Sequence, residues 1–219
     1  MNKIIIPIIT LSLLIMSCGD MGKKAETKAA EEVKIVKSES TVTYSNVEAG
    51  SNLDWRAAHL GGVQPRFGKV SLKEGSVQVN DGKVSNASIV VDLTSLTVEN
   101  FEEGSEQKAQ LTGHLLTGDF FDTQQYPTAQ FDLTSMEAGA NEFNSKVTGN
   151  LTIKDVTKSI TFNANVNVSD DRVSIQSEDF SIDRTDWGLT YNVEGTAGVP
   201  VNYLIANDVG FTINVNLTK

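Results

Sequence analysis

The sequence predicts an all-β domain, and the main reason is a regular alternation of apolar and polar residues. In SITFNANVNVSD, one face carries Ile160, Phe162, Ala164, Val166 and Val168, and the other face is polar. The stretch GFTINVNLTK, near the end of the chain, repeats the pattern. Successive side chains of a strand point to opposite faces, so this alternation indicates antiparallel strands with one buried side and one solvated side.

The second observation is that turn-forming stretches separate the alternating runs. KEG, NDGK, SDD and KDVTK each stand between two such runs. About eight strands with one apolar face throughout suggest a sheet closed into a barrel. A two-sheet sandwich would show the same alternation, so periodicity leaves both architectures open.

One stretch between two strands departs from the β pattern. SEQKAQLTGHLL places Leu111 and Leu115 four residues apart and predicts a short amphipathic helix, with Ser105 as its N-cap. In the following DFFDTQQYP, Asp122 is expected to cap a helical turn, and Phe121 to pack on Tyr126 as a hydrophobic staple. Phe120 has no such local role, which makes it a candidate ligand contact.

The amino-terminal residues predict that the protein is located in the bacterial envelope. Residues 1–17 combine an early lysine with a short apolar run, as in a signal peptide. The run ends in LIMSCG, which resembles a lipobox, so Cys18 is the predicted site of lipid attachment and membrane anchoring. Residues 18–39 are polar and are expected to form a flexible tether, and residues 40–219 a single domain. By resemblance to known sorting signals, Gly19 favours the outer membrane, facing the periplasm.

Composition and motifs exclude several classes of function. The net charge of −10 argues against nucleic-acid partners. The only histidines, His59 and His114, lack a second histidine at metal-ligand spacing, so no metal cofactor is expected. No nucleophile motif or covalent cofactor site is recognisable, and we expect a protein that is not an enzyme.

Several blocks in order resemble the YceI-like lipid- or polyisoprenoid-binding family. They are HLLTGDFFDTQQYPTAQFDL, VTGNLTIKDVTKSITF and FSIDRTDWGLTY, with IVVDLTSLTV before them and LIANDVGFTINVNL after them. The resemblance implies an eight-stranded antiparallel, lipocalin-like barrel with a long apolar tunnel. It also implies an isoprenoid ligand, either a lipid or a quinone.

These expectations define a candidate site and its alternatives. The candidate ligand contacts are aromatic, apolar or basic side chains: Trp55, His59, His114, Leu115, Phe120, Phe131, Phe162, Phe180, Arg184, Trp187 and Tyr191. The leading hypothesis is non-catalytic binding, carriage or sequestration of a long apolar lipid. Two alternatives stay open, namely a fully packed structural or stress-response module and a redox partner of isoprenoid quinone. The sequence also leaves a homodimer open.

Overall fold

The computed structural model describes residues 21–34, 40–140 and 142–219, and within them the chain is built from strands and one α-helix. The amino-terminal half contains β1 (Lys23–Lys24), β2 (Glu26–Ala29), β3 (Val42–Tyr44), β4 (Asn46–Val47), β5 (Asn52–Ala57), β6 (Arg66–Asn80), β7 (Lys83–Asp92) and the helix α1 (Glu106–Leu115). The other half contains β8 (Thr128–Ala138), β9 (Ser145–Ile153), β10 (Val156–Val168), β11 (Arg172–Ser177), β12 (Phe180–Asp183) and β13 (Asp208–Thr218).

Strand pairing closes the sheet into a barrel. From β5 to β11 each strand pairs antiparallel with the next, β11 pairs with β13, and β13 pairs back with β5. These eight strands form the predicted antiparallel barrel, which confirms the fold class and excludes the sandwich. Two positions in the barrel wall are each filled by more than one strand. β3 and β4 precede β5 and pair with β6 and β13, respectively, and β12 follows β11 in pairing along β13.

The alternation predicted from the sequence is the alternation between the inside and the outside of the barrel. Ile160, Phe162 and Ala164 of β10 are buried in the core, and so are Val215 and Leu217 of β13. The outward residues between them are polar, as expected for a barrel wall exposed to water on its outer face.

One end of the barrel is covered by the segment between β7 and β8, and we call it the covered end. Trp55, Val70, Leu96 and Val98 form a second apolar cluster there, against which side chains of α1 pack. The Ser105 side chain accepts a hydrogen bond from the amide of Lys108 (3.3 Å), so the predicted N-cap is confirmed. The loops 58–65 and 184–207 leave the barrel at this same end, since they also follow strands that run towards it.

The segment 21–34 differs from the flexible tether predicted for residues 18–39. The first half of β10, before Ala164, does not pair with β11, which leaves a split between β10 and β12. β1 pairs parallel with β12, and β2 pairs antiparallel with β10 from Lys158 to Thr161, so the two short strands fill that split. The tether prediction is therefore wrong for these residues, because backbone pairing orders a segment that buries little apolar surface.

The predicted signal peptide and the lipid-attachment residue Cys18 lie outside the described residues. The helices within residues 21–34, 40–140 and 142–219 are all too short or too polar to cross a membrane.

Candidate functional site

The barrel encloses an apolar cavity of about 210 Å³. All eight barrel strands contribute to its wall, and among the described residues of the lining only Gln130 and Arg184 are not apolar. Small side chains at Ala57, Ala87 and Ala129 leave part of this space open. A cavity with such walls has few groups that could hydrogen-bond water or a polar ligand, so it suits an apolar chain.

Four phenylalanines form a continuous row of rings along the cavity wall. Phe131 of β8 contacts Phe162 of β10 (5.7 Å between ring centroids), and Phe162 stacks on Phe180 of β12 (4.7 Å, 6° between planes). Phe180 then contacts Phe211 of β13 at 5.9 Å. The stacked pair spans the split between β10 and β12 from the inside. Phe131, Phe162 and Phe180 were predicted contacts, and all three line the cavity.

Gly149 on β9 makes room for this row. A Cβ on Gly149 would lie 2.3 Å from Cζ of Phe131, closer than any side chain could approach. The glycine therefore allows the Phe131 ring to cross the neighbouring strand and reach Phe162. Glycine in a strand commonly marks such a close approach.

At the covered end the cavity is bounded by Leu115 and by both phenylalanines of DFFD. Leu115 and Phe120, both candidate ligand contacts, line the cavity, and Phe120 is buried. Phe121, predicted only as a staple with Tyr126, also lines the cavity. Asp122 has a φ of 49° and its carbonyl accepts the amides of Gln125 and Tyr126. An N-cap has extended backbone, so the predicted helical cap at Asp122 is wrong and the segment is an irregular turn.

Two predicted residues support Phe120 from outside the cavity. The His114 ring meets Phe120 edge to face (5.1 Å) and meets Tyr191 in the same manner (4.8 Å). Nε2 of His114 lies 2.9 Å from Oδ2 of Asp119. Neither His114 nor Tyr191 is part of the lining, so they act on the cavity through the position of Phe120.

Arg184 lies at the covered end with its guanidinium directed at backbone carbonyls. Nε donates to Ala206 O (3.1 Å), Nη2 donates to Ile205 O (3.2 Å), and Nη1 donates to Leu189 O. Burial lowers the pKa of Arg184, which is 3% exposed. These bonds fix the long 184–207 loop over the barrel, and they leave the side chain poorly placed to bind an anionic head group.

The remaining predicted residues divide between lining and packing. Trp55 lines the cavity and donates from Nε1 to Thr97 O (3.1 Å). Trp187, in contrast, is a core residue outside the lining, and its Nε1 donates to Leu151 O (3.0 Å). His59 is also outside the lining, with Nδ1 2.7 Å from Asn202 O. Among the described residues, no cluster of three or more His, Cys, Asp or Glu side chains could hold a metal ion.

Sequence reasoning did not select several residues that the cavity uses. Phe211 completes the row of rings, and Ala87, Ile89 and Met136 lie in the lining. Phe211 stands at an apolar position of the alternating run GFTINVNLTK, so the inward face of that run contained the signal. Which inward residues border open space, however, depends on contacts between distant strands.

Comparison with known proteins agrees with this architecture. The YceI-like domain model matches residues 34–217. A UPF0312 protein of Pseudomonas putida is 30% identical over 115 residues, which are 52% of this chain and 56% of that protein. A UPF0312 protein of Pseudomonas aeruginosa is 30% identical over 112 residues, 51% of this chain and 54% of the relative. The chain thus spans little more than half the length of these relatives.

Two solved structures share the fold. A polyisoprenoid binding domain from Saccharophagus degradans, described as implicated in plant cell wall breakdown, superimposes with a TM-score of 0.57 at 18% identity. The match covers 81% of this chain and 99% of that domain. BcnA of Burkholderia cenocepacia gives a TM-score of 0.55 at 18% identity, covering 79% of this chain and all of that one. With a family model matched over most of its length and a barrel of the same architecture, the chain belongs to the YceI-like domain family.

Proposed function

We propose that this protein binds a long apolar lipid of the isoprenoid class in the barrel cavity, without catalysing a reaction on it. The observation that carries the proposal is the cavity itself, whose lining, as far as the described residues form it, is apolar except for Gln130 and Arg184. The domain of Saccharophagus degradans, which has the same fold and is a polyisoprenoid binding domain, supports the choice of ligand class.

Burial of the chain is the expected source of affinity. Each methylene moved from water into an apolar site contributes about 0.8 kcal/mol, so a long hydrocarbon can bind with few polar contacts. The row of rings from Phe131 to Phe211 offers flat apolar surface to the flat double bonds of an isoprenoid. Open space at the centre also disfavours the alternative of a fully packed module.

The finer part of the proposal concerns the place of action. We propose a lipoprotein of the bacterial envelope, anchored through Cys18, that carries or sequesters its lipid at the membrane, with the outer membrane and a periplasmic orientation as the expected address. The apolar run before Cys18 and the position of this sole cysteine support that interpretation.

Ligand content tests the central claim. The protein is released from its native membranes and examined intact by native mass spectrometry, and the delipidated protein is then offered isoprenoid alcohols and quinones. We expect a co-purifying lipid or stoichiometric uptake of an isoprenoid. A barrel that is consistently empty and takes up neither class would refute the proposal.

The anchor is tested separately. Cys18→Ala is expected to move the protein from the membrane fraction to the soluble fraction, with ligand uptake unchanged because Cys18 is remote in sequence from the cavity residues. Membrane association that persists in the variant would mean that lipid attachment at Cys18 is not the anchor.

A further inference from the structure

Four exposed apolar side chains project from the covered end of the barrel, and we call them the rim patch. They are Val63 (48% exposed), Phe67 (43%), Val201 (70%) and Tyr203 (58%). Only two other large hydrophobic residues of the described chain are comparably exposed. A concentration of apolar side chains on adjacent loops commonly marks an interaction surface.

Hydrogen bonds between the two loops hold the patch together. Between the loops, Nδ1 of His59 lies 2.7 Å from Asn202 O, and within the loop 58–65 the amide of His59 donates to Val63 O (3.0 Å). The amide of Leu60 donates to Leu204 O (3.0 Å). The loops that carry Val63, Val201 and Tyr203 are therefore fixed side by side rather than independently exposed.

The patch adjoins the apolar cavity. His59 forms a bridge with Ile205, and Ile205 lines the cavity together with Ala57, at the end of β5. An apolar chain entering or leaving at this end would pass from the patch to the lining over a short distance. A surface that shields the patch from water would also shield the emerging ligand.

The amino-terminal segment leaves the barrel wall beside the same patch. A Cβ on Gly210 would lie 2.7 Å from the carbonyl oxygen of Met21, so the Met21 backbone lies directly against the outer face of β13. Gly210 pairs with Arg56 of β5, and Arg56 pairs with Phe67 of β6. Met21 and Phe67 therefore lie two strands apart, with Arg56 of β5 between them, near the covered end of the barrel.

From this placement we infer that the rim patch docks on the surface of a lipid bilayer. The inference rests on the proposed function, in particular on anchoring through Cys18. Three residue steps separate Cys18 from Met21, which allows a span of at most about 11 Å. Since β1 and β2 are built into the wall, an anchor at Cys18 would hold this side of the barrel close to the bilayer.

The chemistry of the patch fits the interfacial region of a bilayer. Tyrosine favours the boundary between lipid and water, and phenylalanine and valine add apolar contact area. The chain carries a net charge of −10, so attraction to anionic lipids is not the expected source of docking. Docking should therefore depend on the apolar side chains and respond little to salt.

Site-specific fluorescence tests the inference without requiring natural lipid attachment. Residues 19–219 contain every described strand and no cysteine, so one introduced cysteine can be labelled uniquely. We would attach this protein by an amino-terminal histidine tag to phosphatidylcholine vesicles that contain a nickel-chelating lipid. An environment-sensitive dye is placed at Tyr203→Cys, and the matched control is Lys83→Cys, an exposed site at the opposite end of the barrel.

The expected result is a blue-shifted dye at position 203 that spin-labelled lipids quench several-fold more than the dye at position 83. Equal quenching at the two positions would overturn the inference. The dye at position 203 could also be shielded from water without vesicles, increasingly so at higher protein concentration. That result would show that a second copy of the protein covers the patch, and it would overturn the inference of bilayer docking.

Ligand transfer provides a readout that separates docking from binding. In the Val201→Asp/Tyr203→Asp variant, transfer of a fluorescent isoprenoid from vesicles should slow several-fold, while uptake from detergent micelles should be unchanged. Neither residue lines the cavity, so a loss of micelle uptake in the variant alone would contradict the argument. If the parent protein itself takes up no isoprenoid from micelles, the proposed function is refuted. The ratio of quenching at positions 203 and 83 would still show whether the rim patch docks on the bilayer.

Discussion

Enlarging a small cavity residue should stabilise the protein while weakening its ligand binding. Ala129 is on β8, with 8% of its surface exposed, and it lines the cavity. At about 24 cal/mol per Å³, empty space of 210 Å³ represents a ceiling of about 5 kcal/mol of unrealised stability. Ala129→Leu adds three carbon atoms, which at about 0.8 kcal/mol each give a gain of up to about 2 kcal/mol.

The matched control is Ala164→Leu on β10. Ala164 also points inward, but it is fully buried and is not part of the cavity lining. The same three carbon atoms must there displace packed neighbours, which typically costs about 1–3 kcal/mol. The two variants therefore make the same chemical change and should shift stability in opposite directions.

Thermal unfolding of delipidated protein and isoprenoid titration measure both consequences. For a domain of this size, a gain of about 2 kcal/mol in Ala129→Leu should raise Tm by about 4–8 °C. Its isoprenoid affinity should fall, because the leucine occupies space that the ligand would use. Destabilisation of Ala129→Leu to the same extent as Ala164→Leu would show that no open space adjoins Ala129, and would refute the reasoning.

Three further predictions concern the covered end. Phe120→Ala should weaken isoprenoid binding by about tenfold, as measured by fluorescence titration, since it removes a buried ring from the lining. Arg184→Met should lower the free energy of unfolding in urea by about 3 kcal/mol, because three backbone carbonyls lose their donor. The preference of the protein between a phosphorylated isoprenoid and its alcohol should stay unchanged. A changed preference would mean that Arg184 does bind the head group. Burial raises the pKa of Asp183, but hydrogen bonds from Thr185 and the charge of Lys24 outweigh it, so its pKa is lower than usual. The ionised Asp183 carboxylate should therefore add to the free energy of unfolding above about pH 4, and this contribution should be lost as the pH falls through the lower folded-state pKa. The pH dependence of the free energy of unfolding should be smaller in Asp183→Asn.

The sequence predicted the barrel well because alternation is a local property. Every inward residue of a strand is two positions from the next, so the buried faces of β10 and β13 could be identified without knowing their partners. Closure could not be identified in this way, because it depends on β13 pairing with β5, more than 150 residues apart in the chain. The family resemblance supplied what the periodicity could not.

Side-chain roles were predictable only where local pattern determined them. The inward phenylalanines of β8, β10 and β12 follow from strand alternation, and all of them line the cavity. Trp187 instead lies after a strand in a loop, where alternation gives no direction, and it packs in the core with its indole bonded to Leu151 O. His114 and Tyr191 are 77 positions apart in the chain, and no local sequence pattern predicts their contact.

The composition of the amino-terminal segment predicted a flexible tether, whereas its residues Lys23–Lys24 and Glu26–Ala29 form strands. Few apolar residues normally mean too little buried surface to offset the entropy of ordering, and here Ala25 alone of residues 21–34 is buried. The gain comes instead from the wall, where β10 and β12 would otherwise present unpaired amides and carbonyls along the split. The amides of Lys23 and Ala25 donate to Asp179 O (3.1 Å) and Ser181 O (2.8 Å), so main-chain groups rather than side chains meet that demand. The order of this segment therefore comes from main-chain pairing with the barrel wall and not from burial of its own apolar side chains.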